Sequence, residues 1–120
     1  MVEVMGARAA LDAMEINRMV LAVDELFANI GKHGYRKRTG IIEMQAGMNS
    51  SELYFELRDY APPVLDDASL SGRDLHDVRP GGLGLHLIHS VMDETRHHAL
   101  DDGNRWVLIR YLPVKERHCA

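Results

Sequence analysis

Arg79-Pro80-Gly81-Gly82-Leu83-Gly84-Leu85-His86-Leu87-Ile88 constrains this chain more than any other stretch, because three glycines within four positions run directly into an apolar helical pattern. Glycine lets the backbone approach a ligand closely and adopt positive φ. A helix N-terminus presents unpaired N–H groups and the positive end of its dipole to an anion. Together these suit a phosphate cradle. A Gly-rich turn before a helix is often only a turn, so the weight of this reading comes from two segments upstream.

The first is Glu25-Leu26-Phe27-Ala28-Asn29-Ile30-Gly31-Lys32-His33. From Met14 to Ile30, the residues Ile16, Met19, Val20, Val23, Phe27 and Ile30 recur at helical spacing and make one buried stripe. Glu25 and Asn29 share a face roughly opposite that stripe, with Ala22 one turn earlier on the same side. A carboxylate and an amide one turn apart can hold a cation or a water between them. The plain alternative is a solvated Glu/Asn face.

The second is the strand Ser51 to Asp59, followed by Tyr60-Ala61-Pro62-Pro63. Leu53, Phe55 and Leu57 alternate with Glu52, Tyr54, Glu56 and Arg58, the pattern of a half-buried strand. Asp59 shares the parity of the apolar side. A carboxylate there is costly unless it meets a partner, and the alternative is a turn-initiating Asp just past the strand. The prolines then stop the ladder.

A helix with Glu-x-x-x-Asn, a strand ending in Asp before a Pro-containing turn, then Gly-Gly-Leu-Gly-Leu-His-Leu-Ile resembles the nucleotide-binding boxes of the GHKL ATPase superfamily. Within it, the chain is most similar to the anti-sigma-factor serine/threonine kinase branch, which the tail Ile88 to Glu94 also resembles. The resemblance covers about Ile16 to Leu112. It implies ATP and Mg²⁺ as cofactors, with Asn29 as an oxygen ligand to Mg²⁺ and Glu25 as the base for a partner's serine or threonine hydroxyl. It further implies that Asp59 accepts a hydrogen bond from the adenine amino group. N–H groups around Gly82, Gly84 and Leu85 would hold phosphates, and Arg79 and Ala61 join the nucleotide-binding positions. Residues 64–80 become a lid. The implied partner is a small anti-anti-sigma protein, with a sigma factor as a second.

Two departures bear on this. The family's second box has glycine where this chain has Ala61, which adds a methyl group beside the expected adenine. The family's first strand and much of its first helix are missing, and a Met- and Ala-rich lead-in, residues 1–13, precedes the Glu25 helix. The alternative function is therefore a catalytically weak ATP-binding or partner-capture module, as a domain of a larger sensor or phosphatase regulator. A helical hairpin carrying a phosphoacceptor histidine is absent, which argues against an autonomous histidine kinase.

Composition fits one domain: 120 residues with 46% hydrophobic content support a single core. A net charge of −4 argues against nucleic acid as a partner. The local run Lys32, His33, Arg36, Lys37, Arg38 follows a helix C-terminus, where cations complement the dipole. One cysteine, Cys119, leaves no internal disulfide and fits a reducing cytoplasm. No signal peptide or membrane-spanning run is evident. Among seven histidines, His86 and His89 lie three apart and His97 and His98 are adjacent, too few convergent ligands for zinc. A dinucleotide fold needs a strand before the glycines, and 74–79 does not read as one.

The expected order is a helix to about Tyr35, strands near 41–46 and 51–59, an irregular segment at 64–80, a helix over 83–92, and a hairpin of 95–100 with 105–112. This predicts an α/β (α+β) two-layer sandwich, with helices on one face of a mixed sheet and the usual N-terminal strand missing. The apolar lead-in would cover what that strand leaves bare, by folding back or by crossing to a second copy. Dimers are common in the resembling family, so a homodimer through residues 1–20 is expected.

Overall fold

The computed structural model describes residues 1–36, 38–65 and 82–113, with 82–85 described through their backbone alone. A short helix α1 (Val2–Arg8) leads into α2 (Ala13–Asn29). Asp12 starts α2 with a capping box. The Glu15 N–H donates to Asp12 Oδ1 at 2.8 Å, and the Asp12 N–H donates to Glu15 Oε2 at 3.4 Å. Two orphan donors of the first turn are thereby satisfied. At its C-terminus α2 widens into a π-helical turn, Ile30–Gly34, closed by the Tyr35 N–H donating to the Ile30 carbonyl at 3.0 Å.

Strands β1 (Ile42–Met48) and β2 (Glu52–Asp59) form a hairpin. Asn49 builds its turn: Oδ1 accepts from the N–H groups of Ser51 and Glu52 and from the Ser51 hydroxyl, the local bonding that favours Asn in turns. Helix α3 (Gly82–Val91) leads to a second hairpin, β3 (Glu94–Leu100) with β4 (Gly103–Tyr111). The sheet order is β1-β2-β4-β3.

The expected two-layer α+β arrangement is present, but the sheet is not mixed among the described strands. All three pairings are antiparallel. The α3 crossover sets β3 parallel to β2, but β4 folds back into the gap between them, so no two parallel strands are neighbours. The crossover that parallel strands require is present without producing a parallel pair.

The inner face of the sheet carries Leu53, Phe55 and Leu57 from β2 and Trp106 and Leu108 from β4. It packs against Met19, Ala22, Val23, Leu26 and Ile30 of the first layer and Ile88, Val91 and Met92 at the end of α3. Full burial of such a side chain stabilises by about 1.5–3 kcal/mol, whereas an exposed ion pair contributes about 0–1 kcal/mol; the apolar layer therefore dominates. The lead-in folds back on its own domain, with Val2 buried and Met5, Ala9 and Leu11 partly buried against the core. Met1, Val4, Met14 and Leu21 stay exposed.

Candidate functional site

Strand register brings Asp59 of β2 directly opposite Asn104 of β4, both on the inner face of the sheet. Trp106, two residues along the same face, lies opposite Leu57 on one side and His97 of β3 on the other. Asp59 and Asn104 are the two buried polar residues among those described, each 1% exposed. Burying a carboxylate in such a place is unfavourable unless donors replace water. Three do. The Trp106 indole N–H donates to Asp59 Oδ2 at 2.7 Å, while Oδ1 accepts from the Asn104 amide at 2.9 Å and the Ala61 N–H at 3.0 Å. A carboxylate offers about four acceptor positions, so one remains, on Oδ2.

Asn104 is itself fixed on every side. Its Nδ2 also donates to the Pro62 carbonyl at 3.2 Å, and its Oδ1 accepts from the Val64 N–H at 2.7 Å and pairs with His97 Nε2 at 2.8 Å. The amide orientation follows from those partners, which makes His97 Nε2 a donor. The His97 ring lies tilted by 35° against Trp106, with centroids 4.2 Å apart. The chain leaving β2 is thus tied at residues 61, 62 and 64 to one polar cluster. Gly103 allows this closeness, since a Cβ there would lie 2.0 Å from the Asp59 carbonyl oxygen.

The C-terminal half of α2 lies at the same end. Glu25 and Asn29 are half-buried, and Ala22, one turn earlier, is fully buried. That corrects the expectation that all three share a face opposite the buried stripe. The alanine is small enough for close packing of a second helix, and α3 packs on α2. Among the described residues Glu25 makes no hydrogen bond or ion pair. Among the described residues Asn29 Nδ2 is buried without a hydrogen-bond partner, a state that is unfavourable until a donor of this kind is paired. The π-turn begins at the next residue; such turns often mark functional sites.

Tyr35 fastens this helix end to the sheet: its hydroxyl donates to the Ile41 carbonyl at 2.5 Å and accepts from the Tyr60 N–H at 2.8 Å. Ala61 is buried, and a Cβ on Gly34 would stand 3.0 Å from the Ala61 methyl. The methyl group that departs from the family pattern therefore packs beside a glycine on the π-turn.

Arg110 sets the direction of α3. It donates to the Val91 carbonyl at 3.0 Å and to Glu15, in the first turn of α2, at 2.7 Å. The C-terminus of α3 is held at the start of α2, so α3 runs antiparallel to α2. Its N-terminus, with the backbone N–H groups of Gly82, Gly84 and Leu85, is directed toward the end of α2 that carries Glu25 and Asn29. First-turn N–H groups lack partners within the helix and suit an anion. Arg79 and most of the expected lid, residues 66–80, lie outside the described residues.

On the outer side, Arg58 Nη2 meets Asp102 Oδ1 at 2.5 Å and its guanidinium lies 4.1 Å from the Tyr60 ring centre. Burial works to lower the Arg58 pKa, but the bond to Asp102 and its charge outweigh this and raise it. The Tyr60 hydroxyl donates to Glu43, which raises the phenol above its usual value. Among the described residues no group of three or more His, Cys, Asp or Glu converges as a metal site.

Asn104, Trp106, His97 and Tyr35 have no place in the sequence reading of the site. Strand parity could have put Trp106 on the inner face, but only the register, which sets it opposite Leu57, brings its indole diagonally within reach of Asp59.

The histidine kinase-like ATPase domain family matches residues 1–111. No match is found among curated proteins. A solved structure, the histidine kinase domain from Erythrobacter litoralis EL346 blue-light activated histidine kinase, is similar at a TM-score of 0.63 and 17% identity. The likeness covers 85% of this chain and 46% of that one, so the chain spans less than half that structure's length and shares its fold. With nearly the whole chain matched, with Asp59, the Asn29 helix and the Gly-led α3 gathered at one end of the sheet, this protein belongs to the histidine kinase-like ATPase domain family.

Proposed function

We propose that this chain binds ATP with Mg²⁺ at the Asp59 end of the sheet and directs the terminal phosphoryl group to a serine or threonine hydroxyl of a small partner protein, as an anti-sigma-factor type kinase. The observation that carries this reading is the buried Asp59 carboxylate, held by three donors and keeping one acceptor position. Within a family of ATPase domains, such a group fits the adenine amino group.

The residues present also fit Mg²⁺. Among the described residues the Asn29 Nδ2 lacks a hydrogen-bond partner and suits a phosphate oxygen, while its side-chain oxygen is of the type Mg²⁺ prefers, commonly one or two from protein with the rest from phosphates and water. Bound ATP supplies the phosphoryl group, and Mg²⁺ neutralises its charge. Asn29 would present its carbonyl oxygen to the metal, and Glu25, one turn away, would take the proton from the attacking hydroxyl. The N–H groups of Gly82, Gly84 and Leu85 would hold the phosphates. Ala61 packs beside Gly34, which supports retained nucleotide binding.

The proposed partners are an anti-anti-sigma protein, a sigma factor and a second copy of this chain. The exposed Met1, Val4, Met14 and Leu21 support the last of these. A cytoplasmic setting belongs to the same reading. It is supported by the single cysteine, and no helix among the described residues is long and apolar enough to cross a membrane.

The test is transfer from γ-labelled ATP to a co-expressed small antagonist protein, with the linkage identified by its stability. Acid-stable label on a partner serine or threonine is the expected result. Acid-labile label on histidine would instead make the chain the catalytic domain of a histidine kinase. ATP binding with no transfer leaves partner capture.

A further inference from the structure

The Asp59 carboxylate is constrained at both oxygens by side chains of one strand. Asn104 donates to Oδ1 and Trp106 to Oδ2. Neither partner has freedom to turn. The Asn104 amide is held by Pro62, Val64 and His97, and the Trp106 indole is buried with the His97 ring tilted against it. A carboxylate on a freely rotating side chain can tilt to relieve an unfavourable neighbour or admit a bridging water. This one cannot. By lone-pair count one acceptor position is left, on Oδ2, and the fixed donors set its direction.

We propose that Trp106 and Asn104 are positioning residues that set base selectivity, by holding Asp59 as a rigid acceptor for one N–H donor. A base offering an amino group there is bound; a base offering hydrogen or a carbonyl oxygen leaves the buried acceptor unpaired or opposes it with a second acceptor. The penalty for an unpaired buried polar group is what makes such sites selective. This inference rests on the reading of Asp59 as the base-recognition carboxylate, and it adds the residues that give that carboxylate its discrimination.

The experiment compares Mg²⁺-ATP with the triphosphate of purine riboside, which lacks the amino group, by calorimetry on the wild type and on Trp106→Phe. Urea unfolding of the variant is run alongside. The wild type is expected to favour ATP by about tenfold or more, on the order of one hydrogen bond to a charged group. In Trp106→Phe that preference should shrink by about tenfold, through weaker ATP binding with the amino-free nucleotide nearly unchanged. A purely structural role for Trp106 would weaken both nucleotides alike, and an unchanged ratio overturns the inference.

A second measurement needs no variant and stands if Trp106→Phe fails to fold. Trp106 is the only tryptophan of the chain, so its indole N–H gives a single resonance in the ¹⁵N-labelled protein. Saturation with Mg²⁺-ATP should shift that resonance, and Mg²⁺-tripolyphosphate should leave it in place. An indole resonance unmoved by saturating ATP overturns the inference. A wild type that binds ATP and the amino-free nucleotide equally overturns the adenine reading of Asp59 itself, which is a distinguishable failure.

Discussion

At the scale of single residues, Asp59 serves both the fold and the site. Three buried donors, from Trp106, Asn104 and Ala61, end on its carboxylate. Asp59→Ala therefore orphans three donors, each worth roughly 1–3 kcal/mol when left unpaired. It should lower the urea-unfolding stability by about 3 kcal/mol or more, and a change under 1 kcal/mol would show that the network does not hold the strand end. Glu25 is the opposite case, half-buried and without a hydrogen bond among the described residues, so its replacement should spare the fold. Glu25→Gln is expected to keep ATP affinity while phosphoryl transfer falls roughly 10²–10⁴-fold, the usual contribution of a general base; transfer at the wild-type rate would remove Glu25 from the chemistry. The inward parity of Asp59 was legible in the alternation of Leu53, Phe55 and Leu57. Its side-chain partners Asn104 and Trp106 were not, because they sit about 45 residues away and reach it only through strand register. Asn104 falls between the expected hairpin strands 95–100 and 105–112, and only in the fold does it become a buried hub.

Among the elements, α2 and both hairpins follow local signals closely. The Asp12–Glu15 capping box starts α2. Asn49 turns the first hairpin, and the Asp101-Asp102 pair turns the second. The π-helical turn at Ile30–Gly34 had no such signal, since periodicity does not separate it from a continuing α-helix. The burial of Ala22 was hidden for a related reason: a small residue on a polar-looking face becomes interior only when another helix covers it. The absence of parallel neighbours in the sheet likewise depends on β4 returning between β2 and β3, a tertiary choice. Gly103 is where element packing and site geometry meet. Gly103→Ala would drive a methyl into the Asp59 carbonyl, so the end of β2 must move away from β4. Overpacking of this kind costs about 1–3 kcal/mol. The variant should show that loss in urea unfolding together with weakened ATP binding; a variant as stable as the wild type would mean that the strands separate there without penalty.

For the whole molecule, two layers meet in one apolar core, and the polar cluster, the Asn29 helix end and the start of α3 converge at one end of it. Family and layer architecture were legible from three motifs in order. The fate of the lead-in was not, because an apolar helix can cover its own domain or another. Here α1 packs on α2, yet Met1, Val4, Met14 and Leu21 remain uncovered. A homodimer through residues 1–20 is the expected state, and removal of residues 1–13 should shift it to monomer in light scattering. A monodisperse monomer of the intact chain at micromolar concentration would sink that expectation. The central claim is nucleotide recognition at Asp59, and a calorimetric titration of the intact chain with Mg²⁺-ATP and, separately, Mg²⁺-GTP tests it most directly. Binding of one ATP per chain below about 1 mM, the upper end of common enzyme substrate affinities, with GTP weaker by about tenfold or more, is the expected result. No heat with millimolar ATP, or equal affinity for the two nucleotides, would contradict it.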